Sequence, residues 1–129
     1  MEKIKDGSEY GIDLNSSKVQ NMSEAMTTHD VLQETVYGWL KGTTMFYSAT
    51  EMKNLTYADF VEHIGCDANE FYFDNKYDSR VYTWNASDRQ YARFMVHFRK
   101  NLEDKWVVYA TGASQIEMPD SYLEYLKNR

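Results

Sequence analysis

The chain has 129 residues, a formal net charge of −6 at pH 7 and a hydrophobic fraction of 43%. That length and fraction predict one domain with a core of its own. The acidic balance argues against a nucleic-acid module, since phosphate binding requires a basic stripe and the sequence shows none. No run approaches the roughly 20 apolar residues of a membrane-spanning helix. We therefore expect a protein that binds no nucleic acid and inserts no segment into a membrane.

The first 22 residues are polar, with scattered apolar side chains and no sustained period. A stretch of this kind is typical of a flexible arm or a linker. We therefore expect an arm over residues 1–22 and a single domain over residues 23–129.

A first helix is predicted to begin at Thr27 or Thr28, either of which can cap it, and to end at Gly42. Its apolar face recurs at helical spacing through Leu32, Val36, Trp39 and Leu40. Residues 43–54 show no clean period and are interpreted as an irregular connection to the next helix.

Residues 55–65 carry signals for both ends of a second, short helix. Thr56 and Asp59 have the spacing of a capping box, and Gly65 can take the left-handed conformation that ends a helix. Phe60 and Ile64 lie on one face with Val61, so this helix is expected to pack on the strands that follow.

Four antiparallel strands are predicted at residues 70–74, 80–84, 90–99 and 105–111, the third being the longest. The third alternates clearly, with Ala92, Phe94, Val96 and Phe98 facing the core and Arg93, Met95, His97 and Arg99 facing away. The fourth is apolar on both faces, so something must cover the second face of the sheet. A C-terminal helix started by Pro119 and Asp120, or the N-terminal arm, is expected to do so; a face left open would indicate a partner or a dimer.

These elements predict an α+β domain, in which the N-terminal helix and the short helix pack on one face of a four-stranded antiparallel sheet. A short C-terminal helix completes it.

Three motifs carry a family resemblance. Residues 55–65 read hydrophobic-Thr-x-x-x-hydrophobic-x-x-x-hydrophobic-Gly, residues 81–84 read Val-Tyr-Thr-Trp, and residues 92–98 form a strand ending in Phe. Over about residues 25–115 the chain resembles one repeat of the beta-lactamase inhibitor protein and the related small outer-membrane lipoprotein domains. The resemblance implies a bacterial, secreted or envelope-anchored module that binds a protein. It extends to the scaffold and not to inhibition, because that inhibitor uses two repeats with disulfides and this chain has Cys66 alone.

Candidate partner-binding residues lie on the second face of the sheet and in a hairpin at residues 85–89. Aromatic, Met and Arg side chains are the types that protein interfaces enrich. The candidates are Tyr82, Trp84, Asn85, Asp88, Arg89, Arg93, Met95 and His97, with Val81 in place of Tyr82 and Trp84 if that strand faces the other way.

No catalytic, cofactor or metal site is predicted. Asp59, His63 and Cys66 are too few and too mixed to form a recognisable metal site. A nucleophilic Cys66 would need His63 or His97 as its base, whereas a lone Cys is more often a small buried side chain.

The leading hypothesis is a small interaction module that contacts a protein partner, secreted or in the cell envelope if a leader was removed. The alternative is a cytoplasmic accessory protein that pairs through its sheet as a homodimer, and the expected state is a monomer or a weak homodimer. A small enzyme with a Cys/His site is the third hypothesis.

Overall fold

The computed structural model describes residues 10–42 and 54–128. Their fold is α+β with an antiparallel sheet, which confirms the predicted class. Its elements are β1 (Gln20–Asn21), α1 (His29–Gln33) continued by a π-helical segment (Glu34–Trp39), α2 (Tyr57–Ile64), β2 (Glu70–Asp74), β3 (Ser79–Asn85), β4 (Arg93–Lys100), β5 (Trp106–Ser114) and α3 (Asp120–Lys127). The interpretations of residues 1–9 as part of an arm and of 43–53 as a connection lie outside the described residues.

The described residues form a sheet of five strands in chain order, so the predicted number of four is wrong. The added strand is β1, whose two residues pair with Phe71 and Glu70 of β2 and are too few to give a periodic signal. Beside it, the Phe73 N–H donates to the carbonyl of Ser16 at 2.9 Å. The described part of the N-terminal stretch therefore lies along the edge of the sheet.

The third predicted strand is shorter than expected, because its first residues form a turn. The Ala92 N–H donates to the carbonyl of Arg89 at 3.2 Å, and Tyr91 has a φ of 65°. Strand β4 therefore has eight residues and β5, with nine, is the longest strand described.

Helix α2 has the predicted ends. The Thr56 N–H donates to the Asp59 carboxylate at 2.8 Å, which forms half of the capping box. At the other end Gly65 has a φ of 100°, a conformation that costs glycine little, and its N–H donates to the carbonyl of Val61. These two ends fix the helix over the sheet.

Aromatic rings form the core between α2 and one face of the sheet. The Phe60 ring meets those of Phe94 and Phe98 at centroid distances of 6.1 and 5.7 Å, and all three side chains are fully buried. Beside them Tyr57 stacks on Tyr82 at 4.2 Å. Helix α2 therefore covers the face of β3 and β4 that carries the large rings.

The buried Tyr57 hydroxyl has both a donor and an acceptor role. It donates to the Asp67 carboxylate at 2.7 Å and accepts the Ala68 N–H at 3.1 Å. Burial, reinforced by the hydrogen bond to Asp67, raises the pKa of Tyr57 far above its ordinary value. The phenol therefore stays protonated and its polar atom is satisfied inside the core.

Helix α3 lies against the helical layer and not against the second face of the sheet. Tyr122 packs on Tyr37 with ring centroids 4.9 Å apart, and its hydroxyl donates to the carbonyl of Lys41. The Tyr122 ring also lies so close to Gly42, which has a φ of 72°, that no β-carbon fits there. The expectation that the C-terminal helix covers the second face is therefore wrong.

Candidate functional site

The register of the strands divides the sheet into a core face and a second face, which we call the open face. Val81 pairs with Tyr72 and His97, and Thr83 pairs with Glu70 and Met95, so these residues share one side. The open face comprises Asn21, Glu70, Tyr72, Asp74, Ser79, Val81, Thr83, Asn85, Arg93, Met95, His97, Arg99, Val107, Tyr109, Ala110, Gly112 and Ser114.

Helices α1 and α2 pack on the core face, and α3 packs on the helical layer. Their buried residues, Leu32 of α1 and Phe60 and Ile64 of α2, belong to one cluster with the core-facing rings. Within residues 10–42 and 54–128, no helix lies over the open face.

Strand β3 is nevertheless buried on both faces. On the open face Val81 is 0% and Thr83 is 6% exposed, whereas Met95 and His97 on the neighbouring strand are only partly buried. The open face therefore has a dry strip along β3 and a half-buried ridge along β4.

His97 lies on this ridge between Val81 and Ala110. Burial lowers the pKa of His97 below its ordinary value, and the negative charge of Asp74 opposes that effect in part. At neutral pH the open face therefore presents an uncharged imidazole.

A bulge between β4 and β5 adds an aromatic ring to the open face. The register shifts after His97, so that Tyr109 is the additional residue of β5. The Arg99 guanidinium lies 4.7 Å from the centroid of the Tyr109 ring, in cation–π geometry. Arg93, Met95 and His97 continue the same ridge, as the alternation of β4 predicts.

Tyr82 and Trp84, two of the predicted partner-binding residues, are on the core face. They pair with Val96 and Phe94 and are 1% and 0% exposed. The indole Nε1–H of Trp84 also donates to the carbonyl of Cys66 at 2.9 Å. Both residues therefore leave the candidate surface, and Val81 takes their place.

The three predicted hairpin residues make contacts inside the domain. The Asp88 carboxylate accepts the His29 N–H at 2.8 Å in the first turn of α1. Arg89 donates to His29 Nε2 at 2.9 Å and to the Glu117 carboxylate at 3.1 Å. The hairpin is thus attached to the start of α1 and to the segment before α3.

Asn85, the third of them, pairs with Arg93 and therefore lies on the open face, as predicted, while its backbone is held by Asn69, whose role the sequence did not reveal. The Asn69 side-chain amide donates to the carbonyls of Ser23 and Ala25 at 3.1 and 2.7 Å, and its oxygen accepts the Asn85 N–H at 2.9 Å. Its backbone N–H donates to Thr83, and its carbonyl accepts the N–H of Met22. Asn69 therefore joins the N-terminal stretch to β3.

A second cluster lies on the helical side, around His63. Its Nε2 lies 2.6 Å from the Glu34 carboxylate, and its ring stacks on Trp39 at 4.2 Å with an interplanar angle of 7°. A carboxylate only accepts, so Nε2 carries a proton. Gly38 leaves room for Glu34, because a β-carbon there would meet the Glu34 carboxylate oxygen at 3.0 Å.

The π-helical segment brings the side chains of this cluster together. Residues five apart in an α-helix are separated by about 140° around the axis. In the wider π-helical turn Glu34 and Trp39 contact the same imidazole, Glu34 at its edge and Trp39 at its face. No sequence pattern indicated this segment.

Cys66 is partly buried. Burial, followed by the charge of Asp67, raises the pKa of its thiol, which disfavours the thiolate needed by a nucleophile. In the described chain no hydrogen bond joins Cys66 to a histidine, and no three His, Cys, Asp or Glu side chains are grouped as metal ligands. Asp59 and His63 have partners of their own, in Thr56 and Glu34.

Within the same two ranges, no helix is both long and apolar enough to cross a membrane. Compared with family models, curated proteins and solved structures, the chain matches none of them.

Proposed function

We propose that the domain is a protein-binding module and that the open face of its sheet is the contact surface. The observation that carries the proposal is the half-buried ridge of β4, where Met95 and His97 lie beside the dry strip of β3 with no described helix above them. Apolar and aromatic side chains ringed by Arg are typical of protein interfaces.

Charge distribution supports a protein ligand over a nucleic acid. The open face carries Glu70 and Asp74 on β2 as well as Arg93 and Arg99 on β4, so it is not uniformly basic. A surface of mixed charge repels a continuous phosphate backbone at one strip and attracts it at the other, whereas a folded protein can match both.

Of the three hairpin residues, only Asn85, which pairs with Arg93, belongs to the proposed surface. Asp88 and Arg89 are engaged by α1 and Glu117, so their role is to hold the covered side of the domain together. The binding module of the resembled family supplies a scaffold precedent for a sheet that grips a protein, and that likeness remains a prediction.

A photo-crosslinking amino acid at Met95 tests the proposal in cells that produce the protein naturally. We expect a discrete crosslinked product, which disappears when Val107→Asp places a charge on the same face. The same probe at Leu102, which is fully exposed in the β4–β5 turn, serves as the control. The proposal fails if the Met95 probe gives no product, or gives the same products as the Leu102 probe.

A further inference from the structure

The charges of the open face are segregated by strand. Strand β2 contributes the carboxylates of Glu70 and Asp74, and strand β4 contributes the guanidinium groups of Arg93 and Arg99. Strand β3, which lies between them, contributes no charged side chain to this face. An acidic strip and a basic strip therefore flank a neutral strip.

The same register aligns these strips in rows across the sheet. One row contains Asp74, Ser79 and Arg99, since Ser79 pairs with Asp74 and the next residue of β3 pairs with Phe98. The next row contains Tyr72, Val81 and His97. Each row thus has a β2 residue and a β4 residue at equal distances from β3.

We infer that the open face binds a second copy of this chain, related by a two-fold axis that runs parallel to β3 over Val81. This inference rests on the proposed function and names its partner. Such an axis exchanges the positions of β2 and β4 while keeping each row at its height. It places Asp74 opposite Arg99 of the second copy, and Tyr72 opposite His97, in both directions.

The charges favour this axis over the other simple two-fold arrangement. An axis perpendicular to the strands lays β4 on β4 and β2 on β2, so that Arg93 and Arg99 meet a second basic strip and Glu70 and Asp74 a second acidic one. Like charges brought together across an interface weaken association and select against that mode. A partner of uniform charge would likewise match one strip and be repelled by the other.

The row of Tyr72, Val81 and His97, which carries no charge, is also compatible with this two-fold dimer. The pKa of His97 is lowered by burial, so the imidazole enters the interface without an unpaired charge, and Tyr72 can stack on it. The Arg99 guanidinium lies against Tyr109 on its own sheet, which holds it in place before association.

The size of the face sets the strength of the dimer. With strands ~4.8 Å apart and ~3.3 Å per residue, the three strands that this axis lays face to face, β2, β3 and β4, form a face of roughly 15 by 20 Å. Two such faces bury roughly 600 Å², below the size of stable specific interfaces. We therefore expect a dimer that forms and dissociates with concentration.

Two charge reversals test the inference, Asp74→Lys and Arg99→Glu. A self-pair of Asp74→Lys brings two cations together at both contacts, and a self-pair of Arg99→Glu brings two anions together at both. In a mixed pair, the introduced lysine meets the introduced glutamate at one contact, and the native Arg99 meets the native Asp74 at the other. The dimer dissociation constant of each variant alone should therefore be at least about tenfold higher than that of the unmodified chain. An equimolar mixture of the two variants should restore the dimer.

Sedimentation velocity over a wide range of concentration measures the result. Glu103→Lys, in the exposed β4–β5 turn, changes the net charge as Asp74→Lys does and should leave association unchanged. Because the Asp74 carboxylate accepts the Lys76 N–H at 3.1 Å, Asp74→Asn is included as a variant that keeps a side-chain acceptor. Circular dichroism verifies that every variant is folded.

The inference is overturned if the unmodified chain stays monomeric at every concentration, or if the mixture associates no better than its parts. A monomer whose Met95 probe crosslinks to a different protein would refute the second copy and leave the proposed function standing. A monomer without any Met95 product would refute both.

Discussion

The two faces of strand β4 differ in what surrounds them. Phe94 points into the helical layer and is 0% exposed, whereas Met95, the next residue, points to the open face and is only partly buried. On β3 both faces are buried, but Trp84 packs on Phe60 of α2, whereas Val81 lies on the open face between Tyr72 and His97. A residue on the open face can therefore be buried although no helix within residues 10–42 and 54–128 lies above it.

Substitution of these two neighbours gives the largest expected contrast. Phe94→Ala should lower the free energy of unfolding by about 3–5 kcal/mol, because it leaves a cavity beneath Phe60. Met95→Ala should cost about 1 kcal/mol or less, since its site can be filled by water. Urea unfolding of both variants at low protein concentration measures the difference, and equal costs would show that the open face is covered.

The covered side also depends on a polar connection at Asn69. Asn69→Ala removes three side-chain hydrogen bonds and leaves the Asn85 N–H without its acceptor, so we expect a loss of about 2–3 kcal/mol. Asn69→Asp keeps an acceptor for the Asn85 N–H and loses the two donated bonds. Its stability should lie between those of the unmodified chain and Asn69→Ala. The same urea titration ranks them, and a cost near zero for Asn69→Ala would contradict the assigned role.

A smaller difference in stability is expected between substitutions of Asp88, in the hairpin, and of Asp74, on the open face. Asp88→Ala should cost about 1 kcal/mol, as the loss of a helix N-cap contact does, because its carboxylate accepts the His29 N–H. Asp88→Asn should retain most of that stability, since the amide oxygen still accepts. Asp74→Ala on the open face should cost less than Asp88→Ala in the monomer. Thermal unfolding followed by circular dichroism distinguishes the three variants.

The smallest expected effect is a pH dependence at His97. Its pKa in the folded protein lies below the ordinary value of 6.5, so the unfolded chain binds the proton more readily. This contribution to stability is complete above pH 6.5 and is lost as the pH falls from 6.5 towards the folded pKa. His97→Gln should therefore lose less stability between about pH 7 and pH 5 than the unmodified chain, and identical slopes would contradict the assignment.

The sequence contained enough local information for the class of the fold and for the ends of α2. Thr56, Asp59 and Gly65 act through contacts a few residues apart, which a capping pattern describes directly. The alternation of β4 likewise assigned Arg93, Met95 and His97 to the face away from the helices. These features depend on the chain near each residue.

Other features depend on distant segments and could not be predicted in this way. Residues 81–84 are all buried, so β3 shows no alternation that could assign Tyr82 and Trp84 to a face. Asp88 and Arg89 both contact His29, which lies 59 and 60 positions earlier in the chain. A polar hairpin sequence carries no sign of such contacts.

The π-helical segment has a consequence for how the chain tolerates changes in length. A π-helical turn accommodates one residue more than an α-helical turn, so residues 34–39 can be described as a helix that has absorbed an insertion. Gly38 is the residue whose removal costs least, because it contributes no side chain to the clasp of Glu34 and Trp39 around His63. Deleting Gly38 would leave Glu34 and Trp39 four apart, which is the spacing that brings α-helical residues to one face. Glu34 and Trp39 would then keep their contacts with His63 in an α-helix. Gly42, which follows the helix, would be rotated away from Tyr122.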